Sequence, residues 1–160
     1  MTQHLPARIA GLTLLLLLLT ACGNSRNAAD YYAGTDGIDL DLTRLSATMV
    51  YSEVYNMRYE PEDYYGKTIR IEGLFSSYEN PMTGEPYFNC IIPDATACCS
   101  QGLQFFPADA DTRMYPEDYP KNGETVTVVG TFTKNEENLY MCALTDATME
   151  TCADIEGKEG

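Results

Sequence analysis

The cysteines of this 160-residue chain offer more possible chemistry than its other residues. Cys98 and Cys99 are adjacent in the sequence. Soft ions such as zinc or copper(I) bind to thiolates, and thiols pair as disulfides in oxidising compartments. The remaining cysteines stand singly, at Cys22, Cys90, Cys142 and Cys152. Disulfides, core packing, a metal site and redox chemistry are therefore all open hypotheses for this set.

The spacing of the cysteines limits how they can combine. Five follow the first one, and an odd number leaves at least one thiol unpaired. A bridge between the neighbours Cys98 and Cys99 would be strained. Because side chains alternate in an extended segment, we expect the two sulfurs to face opposite sides, with one near another cysteine: Cys90, Cys142 or Cys152. The alternative is zinc or copper held by Cys98, Cys99 and a strand cysteine.

The composition excludes several other kinds of site. The only histidine is His4, inside a segment that we predict to be removed. Ser-His-Asp triads and zinc sites with imidazole ligands are therefore excluded from the mature chain. The scattered carboxylates are typical of a solvated acidic surface. We therefore predict that the protein is not an enzyme.

The charge and the aromatic residues suggest what kind of partner is bound. The chain has 24 acidic against 10 basic residues, a net charge of −14, together with 12 tyrosines and five phenylalanines. Nucleic acid normally binds to basic surfaces, so we expect no nucleic-acid partner. Tyrosine offers contact area and a hydroxyl at a low cost in entropy. A protein or glycan partner is the expectation.

The N-terminus has the features of a secretion signal. Arg8 precedes an apolar run, Ile9–Leu19, which is too short to span a bilayer but suits a signal-peptide core. The run ends in Leu19-Thr-Ala-Cys22, which resembles the lipobox of bacterial lipoproteins. The resemblance implies cleavage before Cys22, acylation of its thiol and attachment to the extracytoplasmic face of a membrane. The alternative is an ordinary cleaved signal in which Cys22 has no special role.

The rest of the chain divides into a tether and one domain. Residues 1–21 are the predicted signal peptide, and 22–40 are a lipidated N-terminus and flexible tether rich in Gly, Asn and Asp. Residues 41–157 are predicted to form a helix followed by five strands. In the helix, apolar residues recur every three or four positions from Leu42 to Met57, and Asp41 is the expected cap.

Alternating apolar residues and turn signals delimit the strands. We predict them at 67–75, 87–92, 102–106, 124–132 and 139–144. The first and fourth are alike, and each contains a glycine, Gly73 or Gly130, where a small barrel strand can bend. Similar segments, Pro61–Tyr64 and Pro116–Tyr119, precede these two strands. The pattern predicts a mainly β, five-stranded Greek-key barrel preceded by one amphipathic α-helix.

This arrangement is similar to a known family, the tRNA-anti-like OB-fold proteins, over about residues 47–150. The similarity lies in three segments and in Tyr51 and Asn56 of the helix. The segments are Tyr64–Gly73, Gly123–Gly130 and Tyr140–Leu144. The resemblance implies an OB-like barrel and no catalytic residues. The sequence therefore predicts a lipid-anchored, non-enzymatic binding module, with a metal- or redox-handling lipoprotein as the alternative.

Overall fold

The protein is described from a computed structural model for residues 37–135, 142–151 and 154. These residues belong to a single unit, Tyr32–Gly160. Cys22 and Cys152, two of the predicted site residues, lie outside the described residues. So do the predicted signal peptide and part of the predicted fifth strand.

One α-helix and six β-strands form within the described residues. The helix, α1, spans Ala47–Tyr59. The strands are β1 (Leu40–Asp41), β2 (Thr68–Glu79), β3 (Pro86–Pro93), β4 (Ser100–Pro107), β5 (Thr125–Lys134) and β6 (Cys142–Thr151). The prediction of a mainly β protein with one preceding helix is confirmed.

The strands form one mixed sheet in the order β1-β2-β3-β4-β6-β5, and β2 also pairs with β5. Most neighbours are antiparallel, whereas β1–β2 and β4–β6 are parallel. The pairing of β2 with β5 means that β2 through β6 form a closed circuit of hydrogen-bonded strands. The enclosed core includes Phe75, Phe105 and Phe132, the fully buried aromatic rings of the described residues.

The sheet has one strand more than predicted. Leu40 and Asp41 pair in parallel with Ile69 and Arg70 of β2. Leu40 is only 4% exposed, although the sequence analysis placed it in the flexible tether. A two-residue strand is too short to show the alternation by which strands are recognised. The sequence pattern therefore could not predict β1, whose position depends on its pairing with β2 in the folded sheet.

Asp41 caps a different element from the one predicted. Its Oδ1 accepts hydrogen bonds from the backbone N–H and hydroxyl of Thr43, at 3.2 and 2.6 Å, and so caps a 3-10 turn, Leu42–Arg44. Its Oδ2 lies 3.1 Å from Nη1 of Arg70 on β2. Asp41 is 5% exposed, so these partners compensate for burying the carboxylate.

Helix α1 begins at Ala47, later than predicted, because the 3-10 turn occupies the first apolar positions. Its buried face consists of Val50, Val54 and Met57. The helix is tied to β4 through Gln101, which accepts a 3.0 Å hydrogen bond from Arg58 and donates to the hydroxyl of Tyr51 at 3.2 Å.

Gly73 lies where β2 changes partner. Residues 68–74 of β2 pair with β5, and residues 74–79 pair with β3. A Cβ on Gly73 would lie 2.6 Å from the sulfur of Cys90 and 2.7 Å from the carbonyl oxygen of Ile91. Gly130 lies at a register shift between β5 and β6, with neighbouring atoms 3.0 Å from a Cβ placed there. Both predicted bending points therefore lie at changes of pairing.

The two similar segments before β2 and β5 adopt the same turn. The N–H of Tyr64 donates to the carbonyl of Pro61 at 3.0 Å, and the N–H of Tyr119 donates to that of Pro116 at 3.2 Å. Each tyrosine contacts the aromatic core. The ring of Tyr64 lies 6.0 Å from Phe132, and that of Tyr119 lies 4.4 Å from Phe88. Each segment thus anchors the chain before a core strand.

Replacing Gly73 with alanine should destabilise the fold by about 1–3 kcal/mol, the usual cost of overpacking a core. The added methyl group would collide with the backbone of Ile91, which cannot move without breaking the β2–β3 pairing. Gly102→Ala is the matched control, because its Cβ would meet only the flexible end of Ile91 at 3.2 Å. Urea unfolding measures both variants, and equal free energies of unfolding would contradict the assignment.

Candidate functional site

The loop between β3 and β4 holds the adjacent cysteines. Asp94 organises this loop, since its Oδ1 accepts hydrogen bonds from the backbone N–H of Thr96 at 3.1 Å and of Cys98 at 3.0 Å. The N–H of Asp94 donates to the carbonyl of Cys99 at 2.9 Å. Ala97 has a positive φ of 55°. The loop is therefore a tight, closed turn.

The two sulfurs face each other. They are 3.6 Å apart, and the sulfur of Cys98 lies 3.3 Å from Oδ2 of Asp94. Both cysteines are exposed. The expectation that the side chains would point to opposite faces is wrong, because it assumed an extended segment, and Asp94 and Ala97 instead fold the segment into a turn.

Within the described residues, Asp94 and the two cysteines form a group whose side-chain atoms could bind one metal ion. One oxygen and two sulfurs all lie within 4.8 Å of one another. The sequence analysis missed Asp94 and expected a strand cysteine as the third ligand. The sequence did contain a signal for Asp94. An aspartate two residues before a threonine is typical of a turn in which the aspartate side chain accepts backbone hydrogen bonds.

The electrostatics of this loop follow from the same contacts. The pKa of Cys99 is raised by its hydrogen bond with Cys98, by burial and by the charge of Asp94. Burial acts to raise the pKa of Asp94, but hydrogen bonds from Cys98 and Thr96 outweigh it and lower that pKa. The loop thus favours the ionised carboxylate of Asp94 and disfavours the thiolate of Cys99.

The other two described cysteines, Cys90 and Cys142, have different surroundings from those in the loop. Cys90 is fully buried and pairs with Phe75 and Leu103 across the sheet. Cys142 begins β6, and its sulfur lies 3.8 Å from the hydroxyl of Tyr65. The cysteines of the described residues are free thiols, so the predicted disulfides are not formed among them.

A cavity of about 510 Å³ lies beside β3 and β4 and under the 107–120 segment. Phe88 and Tyr119 stack with ring centroids 4.4 Å apart and planes only 8° from parallel. Tyr115 meets Phe88 and Tyr119 edge-on at 5.8 Å. The aromatic rings that line the cavity are Tyr87, Phe88, Phe105, Phe106, Tyr115 and Tyr119. We call this cavity the aromatic cleft.

The aromatic cleft also contains polar groups. Gln104 is 6% exposed, and its Oε1 accepts a 2.9 Å hydrogen bond from Asn135. Its Nε2 is buried and has no hydrogen-bond partner among the described residues. A buried donor without an acceptor costs about 1–3 kcal/mol, so the fold carries this cost beside the cleft.

Arg113 is the basic residue of the cleft wall, and its guanidinium is already engaged. Its Nε lies 2.7 Å from Oδ2 of Asp109, and its Nη1 donates to the carbonyl of Asp118 at 3.2 Å. Glu85 and Asp111 line the same cleft. The cleft therefore combines stacking surface and hydrogen-bonding groups with more acidic than basic side chains in its lining.

A second cavity, of about 620 Å³, adjoins the first and shares Arg113 and Tyr119 with it. Its wall is more strongly acidic, with residues Asp109, Glu117, Asp118, Glu150 and Asp154. Because ligand sites are usually mostly apolar with a few polar groups, the aromatic cleft is the better candidate for binding a small molecule or a partner's side chain.

Tyrosines also form a row along α1. Tyr51, Tyr55 and Tyr59 follow one another at four-residue steps, which places them on one helix face. The rings of Tyr55 and Tyr59 stack with centroids 4.2 Å apart, and Tyr59 is 68% exposed. The sequence analysis did not use this spacing, although it was visible there.

The chain matches no known protein family and no curated protein. Among solved structures it is similar to the crystal structure of a "putative nucleic acid-binding lipoprotein" from Klebsiella pneumoniae. The two are 18% identical, with a TM-score of 0.42, and the match covers 66% of this chain and 87% of the other.

This comparison corrects one inference from the sequence. The acidic composition led us to exclude nucleic acid as a partner, yet a lipoprotein with a partly similar structure is described as nucleic acid-binding. The exclusion was wrong. Net charge is a sum over the whole chain, whereas binding depends on the local potential at one surface.

In the part of the chain that the structure describes, no helix is both long and apolar enough to cross a membrane.

Iodoacetamide should label Cys98 and Cys99 in the native, reduced protein and leave Cys90 unmodified. Cys90 has no exposed surface, and its pKa is raised to about 12 by burial and by the charge of Glu72. Thiolates rather than thiols react with the reagent. Peptide mass spectrometry identifies the labelled residues.

Unfolding in denaturant is the control for this labelling, because it should make Cys90 as reactive as the loop cysteines. Labelling of native Cys90 as fast as Cys98 would contradict the buried position of its thiol.

Proposed function

We propose that this protein is a bacterial lipoprotein, anchored through Cys22 to the extracytoplasmic face of a membrane, whose domain is an OB-like barrel that binds a partner without catalysis. The anchor rests on the Leu19-Thr-Ala-Cys22 sequence at the end of an apolar run. Acylation by more than one chain would hold the protein stably, since a single chain gives only marginal binding.

The strand pairings support an OB-like barrel. Five strands, β2 to β6, are joined in a closed circuit by the β2–β5 pairing. The first of them is long and shared between two partners, as happens where a strand passes from one half of a small barrel to the other. The two-residue β1 is an addition at the edge of β2.

The aromatic cleft is the observation that carries the binding proposal. It combines six aromatic rings with a buried amide donor that has no partner among the described residues. A mostly apolar cavity with a few polar groups is the usual form of a ligand site. Tyrosine rings and hydroxyls suit the apolar faces and hydroxyl groups of a sugar, or the side chains of a protein partner. We propose that the partner is a glycan or a protein.

Binding is proposed rather than catalysis because of the available side chains. The only histidine, His4, falls in the predicted signal peptide, so general acid–base chemistry would depend on carboxylates or on the cysteine loop. The hydrogen bond with Cys98, burial and the charge of Asp94 raise the pKa of Cys99, which disfavours the thiolate that a nucleophile requires.

Cys22→Ser should release the protein from the membrane, because serine cannot form the thioether to the lipid. Detergent phase partitioning of the expressed full chain measures the change. Cys152→Ser is the matched control and should stay in the detergent phase. An unchanged membrane fraction for Cys22→Ser would contradict the anchor.

Tyr115→Ala should weaken ligand binding by roughly two- to tenfold, since an aromatic contact contributes about 0.5–1.5 kcal/mol. Neutral oligosaccharides titrated against the full chain are the probe, with single-stranded oligonucleotides in parallel. The chain has no tryptophan, so tyrosine fluorescence reports binding directly.

Tyr59→Ala is the control for this experiment, because Tyr59 is exposed on α1 and does not line the cleft. Equal weakening by both substitutions would contradict the cleft as the binding site. Saturable binding of the oligonucleotides alone would replace the proposed glycan with a nucleic acid.

A further inference from the structure

The loop between β3 and β4 brings three side chains that can bind a metal close together. We propose that Cys98 Sγ, Cys99 Sγ and Asp94 Oδ2 bind one zinc ion, with the fourth coordination position open to solvent. This site goes beyond the binding proposed for the aromatic cleft and does not depend on it.

The distance between the sulfurs fits a tetrahedral ion. Two sulfurs that each lie about 2.3 Å from such an ion are about 3.8 Å apart. In the structure the sulfurs of Cys98 and Cys99 are 3.6 Å apart. The loop therefore presents one edge of a zinc tetrahedron before any ion is bound, and little reorganisation is needed.

The position of the carboxylate fits the same ion. A sulfur and an oxygen on one tetrahedral zinc are about 3.5–3.7 Å apart, given a zinc–sulfur distance of about 2.3 Å and a zinc–oxygen distance of about 2.0–2.2 Å. Oδ2 of Asp94 lies 3.3 Å from the sulfur of Cys98, and the three ligand atoms lie within 4.8 Å of one another. The three atoms thus lie close enough together for a small adjustment of the side chains to bring them onto one ion.

The two oxygens of Asp94 differ in their main partners. Oδ1 accepts hydrogen bonds from the backbone N–H groups of Thr96 and Cys98 and so fixes the turn. Oδ2 faces the sulfur of Cys98 at 3.3 Å, and the hydroxyl of Thr96 lies 3.1 Å from both oxygens. One oxygen therefore builds the loop that brings the sulfurs together, and the other completes the ligand set. Orientation of a ligand by its own hydrogen bonds is typical of metal sites.

The ligand set and its geometry favour zinc over copper(I). Copper(I) prefers soft sulfur ligands, whereas zinc accepts sulfur and carboxylate oxygen together. A copper(I) ion bound by only two sulfurs holds them on opposite sides. With each sulfur about 2.3 Å from the metal, the sulfurs would then lie about 4.6 Å apart, which is longer than the observed 3.6 Å. Binding converts both thiols to thiolates and releases their protons to solvent.

Zinc titration of the reduced full chain without oxygen tests the proposal. We expect one zinc ion per chain, measured by competition with a chromogenic chelator. Cobalt(II) substitution should give a sulfur-to-metal charge-transfer band in the near ultraviolet, which only thiolate ligation produces. Double replacement of Cys98 and Cys99 by serine should abolish both signals.

Asp94→Asn is the decisive single variant. An asparagine oxygen can still accept the N–H groups of Thr96 and Cys98, so the turn is kept while the oxygen facing the sulfur is replaced by an amide nitrogen. Zinc affinity should fall at least tenfold, which is about the smallest effect typical of changes around a metal ligand. Asp111→Asn and Cys142→Ser are matched controls and should leave the affinity unchanged.

Three results would overturn the zinc site. The first is unchanged zinc binding in the double serine variant, which would place the ion at other cysteines. The second is unchanged affinity in Asp94→Asn. The third is recovery of Cys98 and Cys99 as a disulfide, two hydrogens lighter, from protein purified without oxidant, which would indicate a redox function for the loop.

Discussion

The sharing of β2 between two neighbours is the constraint on which the rest of this structure depends. One twelve-residue strand pairs with β5 along its first half and with β3 along its second. The change of partner occurs at Leu74, next to Gly73, where the backbone of β3 comes too close for any side chain. Without that approach the circuit of strands would not close, and Phe75 would not reach the core that it shares with Phe88 and Phe105.

The closed circuit also decides where the aromatic cleft lies. The 107–120 segment must cross from the end of β4 to the start of β5, and its turn at Pro116 places Tyr119 against Phe88. The same turn before β2 places Tyr64 beside Phe132. After Pro61, Tyr64 mainly anchors the chain to the core. After Pro116, Tyr119 does the same and also forms part of the wall of the aromatic cleft.

The cysteines show how strongly the surroundings of a side chain determine what it can do. Cys90 lies in the core, where burial raises its pKa to about 12 and leaves it a packing residue. Cys98 and Cys99 lie on an exposed turn that Asp94 holds together, with two sulfurs and an oxygen converging. Asp94 contributes most to this difference, because it shapes the turn and supplies the third ligand atom.

The sequence by itself determined the helix, the approximate positions of four strands and the two glycines at which the pairing changes, because these depend on local periodicity and on the lack of a side chain. Its fifth predicted strand, 139–144, overlaps only the start of β6. The sequence also picked out Cys98 and Cys99. It did not predict β1, whose two residues are too few to show a period, nor the partners of the cysteines. Only the tertiary structure decided those, together with the aromatic cleft, because they depend on which strands pair and on how each turn brings distant side chains together.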